Sequence, residues 1–306
     1  MAGMRVDVHQ HLWTEPLLDA LARRDEAPRL VRRDRTWVLE IAGEPDSPVA
    51  PAFAELSRRV RSFDGDDVDR ALLCPSLPLG VESLPADEAH TVLDAYHQGV
   101  AELPDRFAAW GSIPARDPDP AAVDRLLDRG IVGLAVPAGA ISDEAELDRL
   151  GPALERLERR GAPLMVHPGP ADVRPTDPAW WPAMTSYVGQ MNVAWHAFVA
   201  FGRARHPQLR VVFAMLAGGA PFHLERLAAR GGPIERAHDP LLFYDTSSYG
   251  KRAIDMAVRF VGVDQLVNGS DRPMAEPAAW PSDDAFAHAI RVRNPERLLG
   301  PTPVAA

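Results

Sequence analysis

The chain predicts a (β/α)8 barrel with a small strand and helix insertion after the first strand. Eight short apolar runs alternate with amphipathic helical stretches; the runs are uniformly apolar, as parallel strands buried on both faces are; and 306 residues fit one large barrel, which needs about 250. We take residues 1–306 as one such domain, the insertion covering roughly 25–65. A doubly wound open sheet is the alternative, but neither G-x-G-x-x-G nor G-x-x-x-x-G-K-[ST] follows the first strand.

The elements follow in order. Residues 4–13, Met-Arg-Val-Asp-Val-His-Gln-His-Leu-Trp, open with a strand. Residues 15–24 read as a helix, with apolar Leu17, Leu18, Leu21 and Ala22 on one face. The alternating stretch 36–41 is one arm of a small hairpin, and 52–61 a short helix. From there strands are expected at 70–74, 107–113, 132–136, 163–166, 209–216, 241–244 and 265–267. Helices are expected at 86–103, 120–129, 143–160, 184–205, up to 230, 252–261 and 282–291. Pro75, Pro114, Pro137 and Pro168 end strands. A Pro- and Trp-rich loop covers 170–182.

Composition narrows the function. Hydrophobic residues make up 46% and charged residues 25%, the balance of an ordinary globular protein. A formal net charge of −10 argues against nucleic acid or an anionic membrane as partner. The lone cysteine, Cys74, excludes an intrachain disulfide and suits a reducing compartment. No stretch reaches the ~20 apolar residues of a membrane helix, and no signal peptide is legible at the start. The expectation is a cytoplasmic protein acting on a small molecule.

In a barrel of this kind the active site lies at the C-terminal strand ends, and the unusual residues fall there. His9 and His11 end the first strand on one face, about 6–7 Å apart along the chain. Cys74 ends the second, with the default reading of a small buried hydrophobe. His167 ends the fifth, Asp245 with Thr246, Ser247 and Ser248 the seventh, and Asp271 the eighth. Histidines 90, 97, 196, 206, 238 and 288 show no such order. His9, His11, His167 and Asp271 could converge on one divalent ion, and three imidazoles with one carboxylate and an open position suit a catalytic zinc site. Such an ion would activate water near neutral pH.

The motifs Val6-Asp7-Val8-His9-Gln10-His11, Val166-His167-Pro168-Gly169 and Gly269-Ser270-Asp271-Arg272-Pro273 resemble the amidohydrolase superfamily, and within it the branch of aminocarboxymuconate-semialdehyde decarboxylase and related aromatic-acid decarboxylases. The resemblance runs from about residue 4 to Asn294-Pro295-Glu296-Arg297-Leu298-Leu299. It implies a metal-dependent barrel with His9, His11, His167 and Asp271 as ligands, Asp271 also shuttling a proton, and a homodimer. One departure matters. Where the family reads His-x-Gly-Gly after the sixth strand, this chain has Met215-Leu216-Ala217-Gly218-Gly219, and methionine cannot exchange a proton. His223, Tyr249 and Ser247 are candidates to take that role.

The only lysine is Lys251. The carboxylated lysine that bridges two metals in many amidohydrolases therefore has no counterpart at the fourth strand, and a single ion is expected. Trp13, Trp180, Trp181, Ser247, Tyr249 and Arg272 are the candidate substrate contacts, Arg272 forking onto a carboxylate. The leading expectation is hydrolysis of an amide, ester or lactone, with decarboxylation of a small aromatic or unsaturated acid as the alternative. A non-catalytic metal- or ligand-binding barrel is a third reading, raised by Met215.

Overall fold

Two runs of parallel strands, joined edge to edge, carry the architecture. The computed structural model describes residues 3–42, 44–171, 173–174, 176–281 and 284–300. The barrel strands are β1 (Val6–Gln10), β2 (Arg70–Leu73), β3 (Phe107–Ala109), β4 (Leu134–Pro137), β5 (Leu164–His167), β6 (Val211–Phe213), β7 (Leu242–Asp245) and β8 (Leu266–Val267). Strands β1 to β3 form one parallel ladder and β4 to β8 another, each strand beside its neighbour in sequence.

The two seams are thinner. Between β3 and β4 there is a bridge from Gly111 to Leu134, and Ala135 N donates to Gly111 O at 2.7 Å. A bulky residue at Gly111 would press on Ile131 and Leu126, so glycine permits the approach. Between β8 and β1, Val8 N donates to Asn268 O at 2.9 Å and Asp271 N to His9 O at 2.8 Å. This second seam joins the two motifs that carry His9 and Asp271. The buried polar chain beneath it consists of Asp7, Gln10 and Arg59: Asp7 accepts from His9 N at 3.1 Å, Ser270 N at 3.0 Å and Gln10 Nε2 at 2.7 Å, and Arg59 reaches Gln10 Oε1 at 2.9 Å. Buried polar groups need such partners.

All five residues of β1 are buried, as are β4 to β8 throughout. The helices cover the outside. The one at Glu144–Arg160 shows local coding: Asp143 caps it by accepting from Glu146 N at 2.9 Å, and Gly161 ends it at φ +60°. The expected long helix 184–205 runs without a break from Ser186 to Arg205, its turn widening at Phe198–Gly202, and a short helical turn at Trp181–Met184 precedes it. The helix expected at 282–291 is Ala285–His288 followed by a wide turn through Arg293; its first two positions, 282 and 283, lie outside the described residues.

The insertion is a three-stranded antiparallel sheet, Arg29–Arg33, Thr36–Glu40 and Ser47–Pro48. Its first arm escaped the sequence reading because Arg-Leu-Val-Arg-Arg carries little apolar signal. A two-residue turn with Asp34 and Arg35 both at positive φ, +47° and +69°, fixes the register. Leu30 and Leu39 bury against Trp13, Leu17, Leu21 and Leu79, which lays this sheet beside the C-terminal end of the barrel.

Candidate metal centre and its cavity

Strand ends bring four side chains to one point. One ligand atom from each of His9, His11, His167 and Asp271 lies within 4.8 Å of all the others, the one such group among the described residues. The three imidazole centroids are 4.9–5.3 Å apart and the rings are nearly perpendicular, at 78–83°. Each ring is turned by a partner on Nδ1. His9 Nδ1 meets Asp245 Oδ2 at 2.6 Å, His11 Nδ1 meets Cys74 O at 3.0 Å, and His167 Nδ1 meets Pro168 O at 2.8 Å. Their Nε2 atoms are thereby free to face inward, the arrangement that orients metal-binding histidines.

The centre has the features of a place made for a cation. His9 Nε2 and His11 Nε2 are 3.2 Å apart. Asp271 Oδ1 is 3.1 Å from His11 Nε2 and 3.6 Å from His9 Nε2, yet it is buried with no hydrogen-bond partner among the described residues. A buried carboxylate oxygen without a partner is costly, and a divalent ion coordinated by these four groups would satisfy it.

Electrostatics agree. Burial opposes charge on His9, but the Asp245 carboxylate outweighs it and raises the imidazole to about 9. Burial and the two neighbouring imidazoles push His167 well below its ordinary range. Burial works to raise Asp271, but the close approach of His11, with the charges of His9 and His167, draws it down to about 2. The Cys74 thiol is raised well above its usual range by burial and nearby carboxylates, so it is no nucleophile.

Met215 stands on a strained turn. The strand expected to run through 216 stops at Phe213, and Met215, Leu216 and Ala217 follow at φ +53°, +48° and +54°, continued by Gly218 and Gly219. Left-handed backbone costs a non-glycine residue roughly 1–2 kcal/mol. Asp245 holds the turn: its Oδ1 accepts from Met215 N at 2.9 Å, Ser247 N at 3.0 Å and Ser247 Oγ at 2.5 Å. One carboxylate thus orients His9 and shapes the turn that presents Met215. At Gly218 a side chain would strike Val188 O.

Above the four residues lies a cavity of about 360 Å³, a size that holds one small ring. Its floor includes His11, His167, Asp271 and Met215, and its walls Trp13, Leu39, Ile41, Glu44, Pro48, Val49, Phe53, Ser76, Pro78, Leu79 and Tyr187. Much of the wall comes from the insertion.

Several sequence-predicted residues sit elsewhere. His223 is exposed and absent from the cavity lining, because the turn after β6 directs the following helix outward. Ser247 is spent on Asp245, and Tyr249 packs against the barrel core. Arg272 pairs with Asp66 at 2.5 Å and Glu276 at 2.8 Å and does not line the cavity. Trp180 and Trp181 are exposed, with ring centroids 5.6 Å apart. Of the predicted rim only Trp13 is in place, its Nε1 donating to Ser76 Oγ at 2.8 Å. Lys251 rests on the Trp280 ring at 5.0 Å. The sequence reading left Asp245 without a role, although it ends β7 among the other strand-end polar residues, and it missed Glu44 and Tyr187, which no pattern marked.

No protein-family model matches the chain. It is 25% identical over 236 residues to a 2-amino-3-carboxymuconate-6-semialdehyde decarboxylase of Dictyostelium discoideum, covering 70% of this chain and 66% of that relative. It is 24% identical over 271 residues to a gamma-resorcylate decarboxylase of Polaromonas sp. (strain JS666 / ATCC BAA-500), covering 76% and 82%. The chain is similar to proteins of the amidohydrolase superfamily. The relatives it matches are aminocarboxymuconate-semialdehyde and resorcylate decarboxylases. A 5-carboxyvanillate decarboxylase from Novosphingobium aromaticivorans, solved with bound manganese and 3-methoxy-4-hydroxy-5-nitrobenzoic acid, superposes with a TM-score of 0.74 at 18% identity, over 97% of each chain. That likeness carries the (β/α)8 fold of the superfamily. The protein is an enzyme. No helix among the described residues is long and apolar enough to cross a membrane.

Proposed function

We propose that this enzyme decarboxylates a small aromatic or unsaturated carboxylic acid, using one divalent metal ion held by His9, His11, His167 and Asp271. Decarboxylation thereby displaces hydrolysis of an amide, ester or lactone, which led on sequence grounds, and the names of the relatives support the change. The observation that carries it is the cavity: an apolar chamber over the four-residue cluster, with Met215 where a proton-exchanging side chain would serve hydrolysis. Breaking an amide calls for a donor to the leaving group and a second group for the oxyanion. Loss of carbon dioxide disperses the substrate's charge, and apolar walls favour that.

When bound, the ion supplies positive charge that draws the substrate's carboxylate and orients it. Asp271 handles the proton. Held near 2 by its neighbours in the metal-free protein, it rests as a carboxylate and takes a proton from a substrate hydroxyl or from water. It then delivers that proton to the carbon bearing the carboxylate. The bond to the carboxylate breaks, its electron pair restores the unsaturated system, and carbon dioxide leaves. Asp245 keeps His9 aligned, and Met215 excludes water from one side. Zinc fits the donor set, and manganese is to be tested beside it. We also infer a cytoplasmic homodimer, for which light scattering checks the assembly.

The test is metal analysis together with two product assays on the metal-loaded protein: carbon dioxide release from aromatic acids, and hydrolysis of amides, esters and lactones. Hydrolysis without carbon dioxide release would overturn the reading, as would a metal content near zero after loading.

A further inference from the structure

We propose a second ligand site at the end of the barrel remote from the strand-end cluster, where Arg70, Arg129 and the ring N–H of His97 bind a phosphate-type oxyanion. It stands independently of the reaction assigned to the cluster.

A separate cavity of about 380 Å³ lies between the helix Ala86–Ala101, strands β2 and β3, and the loop that leads from the helix Pro120–Asp128 into β4. Its wall includes Arg70 at the start of β2, His97 from the first helix and Arg129 just past the second. Strand starts lie opposite the catalytic end of such a barrel. The carboxylates next to these arginines in sequence are spent elsewhere: Arg5 holds Asp69 at 2.6 Å, and Arg160 holds Asp128 at 2.7 Å. No carboxylate among the described residues lies within 4.0 Å of the Arg70 or Arg129 guanidinium. Asp94 and Asp105 also line the cavity, but both are exposed, where water and salt screen them.

His97 adds an orphaned donor. It is 8% exposed, and its Nε2 accepts from Ser112 N at 3.1 Å. A backbone N–H can only donate, so Nε2 carries no proton and, in the neutral ring, Nδ1 carries it. Burial, then the charge of Arg129, lowers His97 to about 4; the ring is neutral, and Arg129 stands near it. His97 Nδ1 is buried with no hydrogen-bond partner among the described residues, and so is Arg70 Nε. A buried donor left unpaired is costly. Two such donors on one cavity, beside two guanidinium groups without a carboxylate, call for a ligand rich in acceptor oxygens and negative charge. Arginine forks match phosphate geometry. Three donor groups from three elements suit the several oxygens of a phosphate better than the two of a carboxylate.

Calorimetric titration of the metal-loaded protein and of its His9→Ala variant tests this, with inorganic phosphate, phenyl phosphate and acetate as probes. Phosphate should bind both proteins with the same affinity, which places it away from the strand-end cluster. Acetate should bind at least tenfold more weakly. Arg129→Ala, at an exposed position, and Arg70→Gln should each weaken phosphate at least tenfold; circular dichroism confirms that all variants fold. In nitrogen-resolved NMR spectra the His97 Nδ1–H signal should move on addition of phosphate to the parent protein and stay in place in Arg129→Ala. Phenyl phosphate binding as tightly as the free ion assigns the site to phosphate esters, and its exclusion assigns it to inorganic phosphate; either supports the site. Loss of phosphate binding in a folded His9→Ala overturns the inference, as do affinities unmoved by both arginine substitutions. Acetate binding as tightly as phosphate overturns the choice of oxyanion.

Discussion

The floor and the wall of the cavity are built differently. The floor comes from strand ends of the barrel: His9 in β1, His167 at the end of β5, Asp271 beyond β8, with His9 held by Asp245 of β7 and His167 by the carbonyl of Pro168. The wall comes from loops and from the inserted sheet and its flanks, with Leu39, Glu44, Val49 and Phe53 lining the cavity. A rigid floor carries chemistry shared across a superfamily, and a separately encoded wall can change the substrate without disturbing the ligands.

That contrast breaks if floor mutations are mild. His9→Ala should take bound metal from about one ion per chain to near zero and abolish turnover, read by elemental analysis and product assay. Asp271→Asn should cost at least ~10³-fold in kcat, since removal of a positioned proton carrier costs about 10²–10⁴.

The next effect sharpens what supports the floor. Asp245→Asn removes the carboxylate from His9 and loosens the Met215 turn together. Losing such an outer partner costs roughly 10–100-fold in metal affinity, measurable by competition with a chelator. A variant that binds metal as tightly as the parent would show that His9 is oriented by packing alone.

A pH experiment addresses the same pair without mutation. His9 in the folded, metal-free protein is raised to about 9, against about 6.5 in an unfolded chain. A raised folded value gives stability that is full below about 6.5 and is lost as the pH climbs towards 9. The melting temperature of the metal-free protein should fall across that window. Metal must displace the His9 proton, so affinity should rise with pH up to about 9, with proton release detected by calorimetry in buffers of different ionisation heat.

The smallest effects concern residues that sequence placed on the rim. Arg272→Ala should leave KM within about twofold, because the side chain is committed to Asp66 and Glu276; its loss reads as a stability change of about 1 kcal/mol, the scale of a partly exposed ion pair, in a thermal melt. A large rise in KM would return Arg272 to the substrate.

Much of the fold was legible because buried parallel strands are uniformly apolar and prolines mark their ends, so eight runs could be counted before any contact was known. The four floor residues were legible for a related reason: their position at strand ends follows from the count, and their chemistry stands out against Val, Leu and Ala. Asp245 stood at such an end as well, but nothing in a linear chain says that it would bond to His9, 236 residues away. The rim failed where proximity in sequence was taken for proximity in space. Arg272 adjoins Asp271, yet Asp66, from the helix Leu56–Asp66, captures it. Trp180 and Trp181 read as pocket aromatics and face solvent.

By itself, then, the sequence determined the barrel, the positions of His9, His11, His167 and Asp271, and the loss of a proton-exchanging group at Met215, because each is written in local pattern or residue type. Only the tertiary structure decided that a charged, weakly patterned hairpin folds over the barrel mouth and brings Glu44 to the cavity while Arg272 is held outside it. Those outcomes depend on packing and on competition among distant charges, which no local stretch of the chain encodes.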